Sequence, residues 1–295
     1  MSEVVSEARR GPSILQTIAL TAVAMLAFAA NSLLCRLALQ RQGIDPASFG
    51  SIRLVSGAIT LLLVVQLRSR PPSAARADWL AAAMLFAYVA FFSFAYLSLS
   101  AGTGALILFG AVQLTMLGAG LGSGERFGPI AWLGSLLAAG GRVYLVLPGV
   151  AAPPLLGAVM MAVAGVAWGV YSLRGRGVAD PLAATSRNFL RAVPLALALS
   201  AVFVARAHAD AIGIALAVAS GALTSGLGYV VWYAALARLS AMQAATVQLS
   251  VPLLAAFGGV LLLSEAITPR LAAASVAILG GIAIVLSQKA RKARR

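Results

Sequence analysis

A few polar side chains stand inside long apolar stretches: Asn31, Gln113, Thr115, Thr224, Ser225, Gln243, Thr246, Gln248 and Ser250. Apolar surroundings penalise such groups, so each marks either a packing bond or a site. An amide both donates and accepts hydrogen bonds. Gln113 and Gln248 on one cavity would together hold the ammonium and carboxylate of a zwitterion. An interhelical hydrogen bond, worth under about 1–2 kcal/mol, is the competing account of each. Aromatic side chains form the second set. Tyr229, Trp232 and Tyr233 recur at i, i+3 and i+4, which is one helical face. With Tyr88, Trp168 and Tyr171 they would stack on an apolar or aromatic group. Core packing explains each aromatic about as well. The candidate binding set is Asn31, Tyr88, Gln113, Trp168, Tyr171, Tyr229, Trp232, Tyr233 and Gln248.

Other chemistry is excluded or disfavoured by residue type. The chain has one histidine, His208, and one cysteine, Cys35, in unrelated segments. They provide neither a nucleophile–base pair nor a metal set, and Cys35 cannot form an intrachain disulfide. No phosphate loop is present, and both lysines, Lys289 and Lys292, sit in the C-terminal tail. No cofactor and no metal is expected. The acids Glu3, Glu7, Asp45, Asp78, Glu125, Asp180, Asp210 and Glu265 fall in tails, loops or segment ends. Proton-driven carriers bury a titrating carboxylate or histidine mid-span, so tight proton coupling is not expected. Arg53, Arg187 and Arg191 lie near segment starts and are expected to snorkel to the surface. Arg142 is expected to reach the outer headgroups. If Arg53, Arg142 or Arg191 instead faces a cavity, the ligand would be an anion.

The elements that position these groups follow from composition. Hydrophobic residues make up 61% of the 295, charged residues 10%, and mean hydropathy is +0.96. A water-soluble domain carries about a quarter charged residues, so most of this surface must meet lipid. The net charge of +14 sits in short loops and the tail Lys289, Arg291, Lys292, Arg294, Arg295. That distribution fits an anchor at anionic lipid, not a nucleic-acid surface. The first dozen residues hold no apolar run and read as a polar tail. A spanning helix needs roughly 20 apolar residues. Ten such segments are predicted: 13–35, 46–67, 79–99, 103–123, 128–147, 154–173, 181–204, 210–236, 241–263 and 269–287. With the N-terminus in the cytoplasm, fourteen basic residues fall inside and four (Arg36, Arg41, Arg206, Arg270) outside. The positive-inside rule therefore puts both termini in the cytoplasm. Trp79 and Trp132, near segment ends, read as interface residues. Glycines 118, 120, 122, 124, 221, 226 and 228 permit close packing or bending, and Pro252 predicts a kink.

The chain repeats itself. Glu125, Pro129, Ser135, Gly140 and Gly141 recur 140 positions on as Glu265, Pro269, Ser275, Gly280 and Gly281. Asp45-Pro46 and Asp180-Pro181 open the second and seventh segments, and Tyr96 and Tyr233 end the third and eighth. Two five-helix repeats are expected, 1–148 and 149–295, with tails at 1–12 and 288–295. An odd number of spans forces the repeats into opposite orientations, with a site at their interface. The fold class expected is an all-α membrane protein of ten transmembrane helices in two inverted five-helix repeats.

The stretch from Gly226 to Leu239, Val251-Pro252, Ser264-Glu265, Pro269 and Arg53 within Ile-Arg-Leu together resemble the drug/metabolite transporter superfamily, in its ten-helix EamA-type branch. The likeness covers nearly the whole chain. It implies cytoplasmic termini and a central cavity lined by spans 1, 3, 4, 6, 8 and 9. It further implies export of a small molecule across the bacterial inner membrane by alternating access. Amino-acid and metabolite exporters, including those for aromatic amino acids, are the nearest group. The partners expected are a small-molecule substrate and the bilayer, with no nucleic acid, and the chain is expected to act as a monomer. One departure stands out: Arg142 aligns with Ile282, where the family has an apolar residue.

Overall fold

A computed structural model describes residues 14–68, 78–122, 129–146, 152–175, 178–239 and 247–293. Among the described residues, and apart from a 3-10 turn at Val204–Arg206, ten helices follow in order: α1 (Ile14–Gln40), α2 (Pro46–Leu67), α3 (Trp79–Ala95), α4 (Ala101–Gly122), α5 (Pro129–Val146), α6 (Leu155–Arg174), α7 (Pro181–Val202), α8 (Ala211–Leu236), α9 (Ser250–Leu263) and α10 (Pro269–Ala293). Among the described residues the only ladder-type pairing is an isolated antiparallel bridge, Ile44 with Ala209. By length and composition α1, α2, α4, α6 and α8 can each cross a membrane. The fold is that of an all-α membrane protein.

Four aspartates start four helices. Asp45 Oδ1 accepts from the Ala47 and Ser48 amides at 3.0 and 2.9 Å. Asp78 caps α3 through Ala81, Asp180 caps α7 through Ala183, and Asp210 caps α8 through Gly213. Each cap satisfies a helix-end amide and is worth about 1 kcal/mol. Pro46 and Pro181 follow their caps at positions that need no donor.

The packing is reciprocal. α3 lies on α6 as α1 lies on α8, and α4 lies on α6 as α1 lies on α9. α2 pairs with α7 and α5 with α10. A Cβ on Gly134 would come within 2.6 Å of the Gly281 carbonyl, and one on Gly281 would collide with the Gly134 carbonyl. Loop contacts repeat the pattern. Asp45 Oδ2 accepts from the His208 amide at 3.1 Å, while Asp180 pairs with Arg68. The Asp210 amide donates to the Gly43 carbonyl at 2.7 Å, while Asp78 pairs with Arg174 at 2.8 Å.

Several boundaries differ from the sequence reading. α1 runs on to Gln40, so Arg36 is helical and not in a loop. α3 stops at Ala95 because Leu97 and Ser98 turn back onto the Phe94 and Ala95 carbonyls. Gln248 and Leu249 form a turn ahead of α9, so Gln248 is not mid-helix. Pro252 therefore lies in the first turn of α9, where its missing N–H costs little, and no mid-span kink results. α10 carries on through much of the basic tail. Gln243, Thr246, Glu125 and Gly124 lie outside the described residues, as does the Arg142 side chain.

α8 is not uniform. Residues Ser220–Leu227 wind as a π-helix between two α-helical arms, Ala211–Ala219 and Gly228–Leu236. This wide stretch sits hard against α2: a Cβ on Gly221 would run into the Arg53 carbonyl and the Ser56 hydroxyl. Only glycine allows that approach. By contrast, a Cβ on Gly118 or Gly122 would meet no packed neighbour within 4 Å among the described residues.

Candidate functional site

The centre of the bundle holds a charge. Arg53 on α2 is 1% exposed. Its Nε donates to Ser225 Oγ at 3.1 Å and its Nη2 to the Tyr88 hydroxyl oxygen at 3.0 Å. The guanidinium lies over the Tyr88 and Phe92 rings at 5.1 and 5.0 Å. Its Nη1 is buried without a hydrogen-bond partner among the described residues. Snorkelling is therefore overturned for Arg53. Hydroxyls and ring faces replace water along an inward course, where an outward course would have kept hydration.

Asn31 on α1 extends the network. Its Nδ2 donates to the Tyr88 oxygen at 3.3 Å, and its Oδ1 accepts from Ser220 Oγ and Thr224 Oγ1 at 2.7 and 3.2 Å. Ser220, Thr224 and Ser225 all belong to the π-helical stretch of α8. That winding brings three hydroxyls toward α1 and α2, in keeping with the tendency of π-turns to mark functional sites. Around this network lies a hollow of about 20 Å³, lined by Phe28, Asn31, Ser32, Arg53, Tyr88 and Trp168 among others. That is room for about one water.

A larger cavity adjoins it. An open cavity of about 400 Å³ is lined by Trp168, Tyr171, Tyr229, Trp232, Tyr233 and Leu236 and extends to Gly175, Val178, Pro181 and Leu239 at the helix ends. Trp168 stacks on Tyr229 and on Tyr171, each at 5.4 Å between centroids, and on Tyr88 at 4.9 Å. Trp168 and Tyr229 line both spaces and stand between them. A side recess of about 140 Å³ joins at Tyr171 and Tyr233 and carries Asp78, Arg174, Arg187 and Arg191. Thr185 holds the Tyr233 hydroxyl at 3.0 Å. Arg191 lies over the Trp79 ring at 5.8 Å.

The opposite end is tied shut by two sets of contacts. Arg36 Nε meets Glu265 Oε1 at 3.1 Å, and its Nη1 donates to the Tyr96 and Leu97 carbonyls. Glu265 Oε2 accepts from the Ala101 amide at 2.9 Å, joining α1, α4 and the α9–α10 loop. Beside it, Gly43–Asp45 and His208–Asp210 zip together through the Asp45 amide to the His208 carbonyl (3.0 Å) and the Asp210 amide to the Gly43 carbonyl (2.7 Å).

Of the sequence candidates, Asn31, Tyr88, Trp168 and Tyr229 meet at the hollow, and Trp168, Tyr171, Tyr229, Trp232 and Tyr233 form the large cavity. Gln113, buried on α4, and Gln248, half-buried in the turn before α9, line none of the three spaces. Sequence reasoning passed over Phe28, which edges onto Tyr229 and Trp232 at 6.1 and 5.7 Å, and Thr185. Arg53, conspicuous in the sequence as an arginine within a span, runs inward and not to the surface. Among the described residues, no three of His, Cys, Asp and Glu gather as metal ligands would.

Residues 155–287 match the EamA-like transporter family. An uncharacterized protein of Pseudomonas aeruginosa is 55% identical over 280 residues, which is 95% of this chain and 98% of that one. A solved crystal structure is 21% identical and superposes with a TM-score of 0.66, covering 92% of this chain and 98% of its own. That likeness is one of fold.

Proposed function

Since this chain belongs to the EamA-like transporter family, we propose that it exports amino acids, neutral and aromatic ones above all, or similar small metabolites by alternating access. The observation that supports this most is the one-ended cavity: about 400 Å³ walled by five aromatic side chains, reaching the helix ends on one side only. The tied contacts of Arg36 with Glu265 close the other side. A volume of that order suits a ligand of amino-acid or drug size. Trp168, Tyr171, Tyr229, Trp232 and Tyr233 would hold the side chain, while Asn31 and Tyr88 would meet the polar end.

On this reading residues 1–148 and 149–295 are two inverted repeats, and the reciprocal helix contacts support that division. Both termini face the cytoplasm of a bacterial inner membrane. The cavity then opens inward, as an exporter loading its cargo requires, and the chain works as a monomeric carrier and not as an enzyme. The acids described, Asp45, Asp78, Asp180, Asp210 and Glu265, all sit at helix ends, which favours facilitated diffusion or exchange over tight proton coupling.

The test is counterflow in proteoliposomes with a panel of labelled amino acids, drugs and phosphorylated metabolites. Trp168→Ala, inserted normally, should lose most of the uptake seen with the preferred substrate. Wild-type rates in that variant would remove the aromatic cavity from the transport path.

A further inference from the structure

Resting on that reading, we propose that Arg53 and Tyr88 form the receptor for a substrate carboxylate. The cargo is then a monocarboxylate with an apolar or aromatic tail, and its amino group is dispensable.

The first ground is an unanswered charge. An arginine stays protonated in a protein, and this one is buried. Among the described residues, the ion pairs engage Arg36, Arg68 and Arg174, and no Asp or Glu lines the hollow. A buried cation without its counter-ion is costly. Its hydrogen bonds from Nε and Nη2 go to neutral hydroxyls, and Nη1 has no partner among the described residues.

The second ground is independent and lies in Tyr88. Its oxygen already accepts from both Arg53 Nη2 and Asn31 Nδ2. Two lone pairs are thereby occupied, so the hydroxyl can engage anything further only by donating its hydrogen. Arg53 and Tyr88 both line the same small hollow. Two donors, one of them charged, are therefore offered where no acceptor among the described residues answers, which is what the two oxygens of a carboxylate require.

Charge and space narrow the class. One guanidinium balances one negative charge, so a carboxylate fits better than a doubly charged phosphate ester. An ammonium group is not provided for: Asn31 Oδ1 already accepts twice, and no carboxylate lines the hollow. The tail would lie where Trp168 and Tyr229 separate the hollow from the aromatic cavity. On the way in, the recess presents Arg174, Arg187 and Arg191 against Asp78, a cationic approach for an anion. The hollow as it stands takes little more than a water, so the Trp168 and Tyr229 rings must part as the carboxylate arrives.

The experiment compares four ligands of one shape on the full chain in proteoliposomes: phenylalanine, 3-phenylpropionate, phenylalaninamide and phenethylamine. Counterflow and ligand-induced thermal stabilisation are both read. Phenylalanine and 3-phenylpropionate should be carried at similar rates, and the two ligands lacking a carboxylate should stay at background. Tyr88→Phe should raise the apparent KM for 3-phenylpropionate about tenfold, the order expected for one hydrogen bond to an anion. Arg53→Gln should abolish carboxylate uptake, and Arg53→Lys should restore part of it. If phenethylamine moves as well as 3-phenylpropionate, the receptor assignment falls while the carrier reading stands. If phenylalanine is carried and 3-phenylpropionate is not, dispensability of the amino group is refuted. If neither these four nor any member of the wider panel is carried or stabilises the protein, both readings fail together. The wild-type ligand comparison decides the matter even if an Arg53 variant does not fold.

Discussion

The Cα of Gly221 on α8 rests against the backbone carbonyl of Arg53 on α2, so close that a Cβ there would overlap it. This contact seats the π-helical stretch on the helix that carries the buried guanidinium. Gly221→Ala should cost about 1–3 kcal/mol, the usual range for overpacking, and lower the Tm of detergent-purified protein. Gly118→Ala, whose added Cβ would meet no packed neighbour within 4 Å among the described residues, is the control and should leave Tm unchanged or slightly raised. Equal effects in both would mean that the approach of α8 to α2 is loose.

The tie between Arg36 and Glu265 is expected to hold one end closed. In a Cys35→Ala background, a Ser32→Cys probe should resist a membrane-impermeant thiol reagent applied from the Glu265 side. Adding Glu265→Gln should raise its labelling about tenfold, corresponding to a shift of about 1.4 kcal/mol in the open population. Unchanged labelling would show that the Gly43–Asp45 and His208–Asp210 contacts suffice to keep that end shut.

The Asp78 cap should report acid stability. Burial acts to raise its pKa, but the Arg174 hydrogen bond and the Ala81 amide outweigh burial and hold it below the ordinary 3.8. A carboxylate depressed in the folded state stabilises fully above its unfolded pKa and loses that contribution as pH falls through the folded one. Tm should therefore stay level from neutrality down to about pH 4 with respect to this group and decline below it. Asp78→Asn should lower the neutral Tm and reduce the acid decline. The reverse slope would contradict the assignment.

Energy coupling can be read directly. With no acid described inside a span, an imposed pH gradient should leave substrate at its equilibrium distribution in proteoliposomes. Accumulation several-fold above equilibrium, abolished by an ionophore, would require a titrating group in the transport path.

The spans were legible in the sequence because lipid demands long apolar runs whatever the tertiary arrangement. The face of Tyr229, Trp232 and Tyr233 was legible because helical spacing fixes it, and those three do line one cavity. The course of Arg53 was not legible. A long side chain one turn or two inside a helix reaches the surface or the interior equally well, and only the placement of Ser225 and Tyr88, 172 and 35 positions away, decides between them. The matched depth of Gln113 and Gln248 in the two halves presupposes unbroken helix, and the turn at Gln248 breaks that match. The π-helical stretch left no hydropathy signal, only Gly221 and Gly226, whose close packing needed both partners to be seen.

The eight wide-wound residues of α8 have a mechanical consequence. A π-turn holds about one residue more than an α-turn, so rewinding such a stretch swivels everything beyond it by roughly 100° per residue absorbed. With Asp210 held to Gly43 at the zipped end, Trp232 and Tyr233 would turn relative to the cavity. Such a rewinding would move only the α8 part of the aromatic wall, since Trp168 and Tyr171 stand on α6.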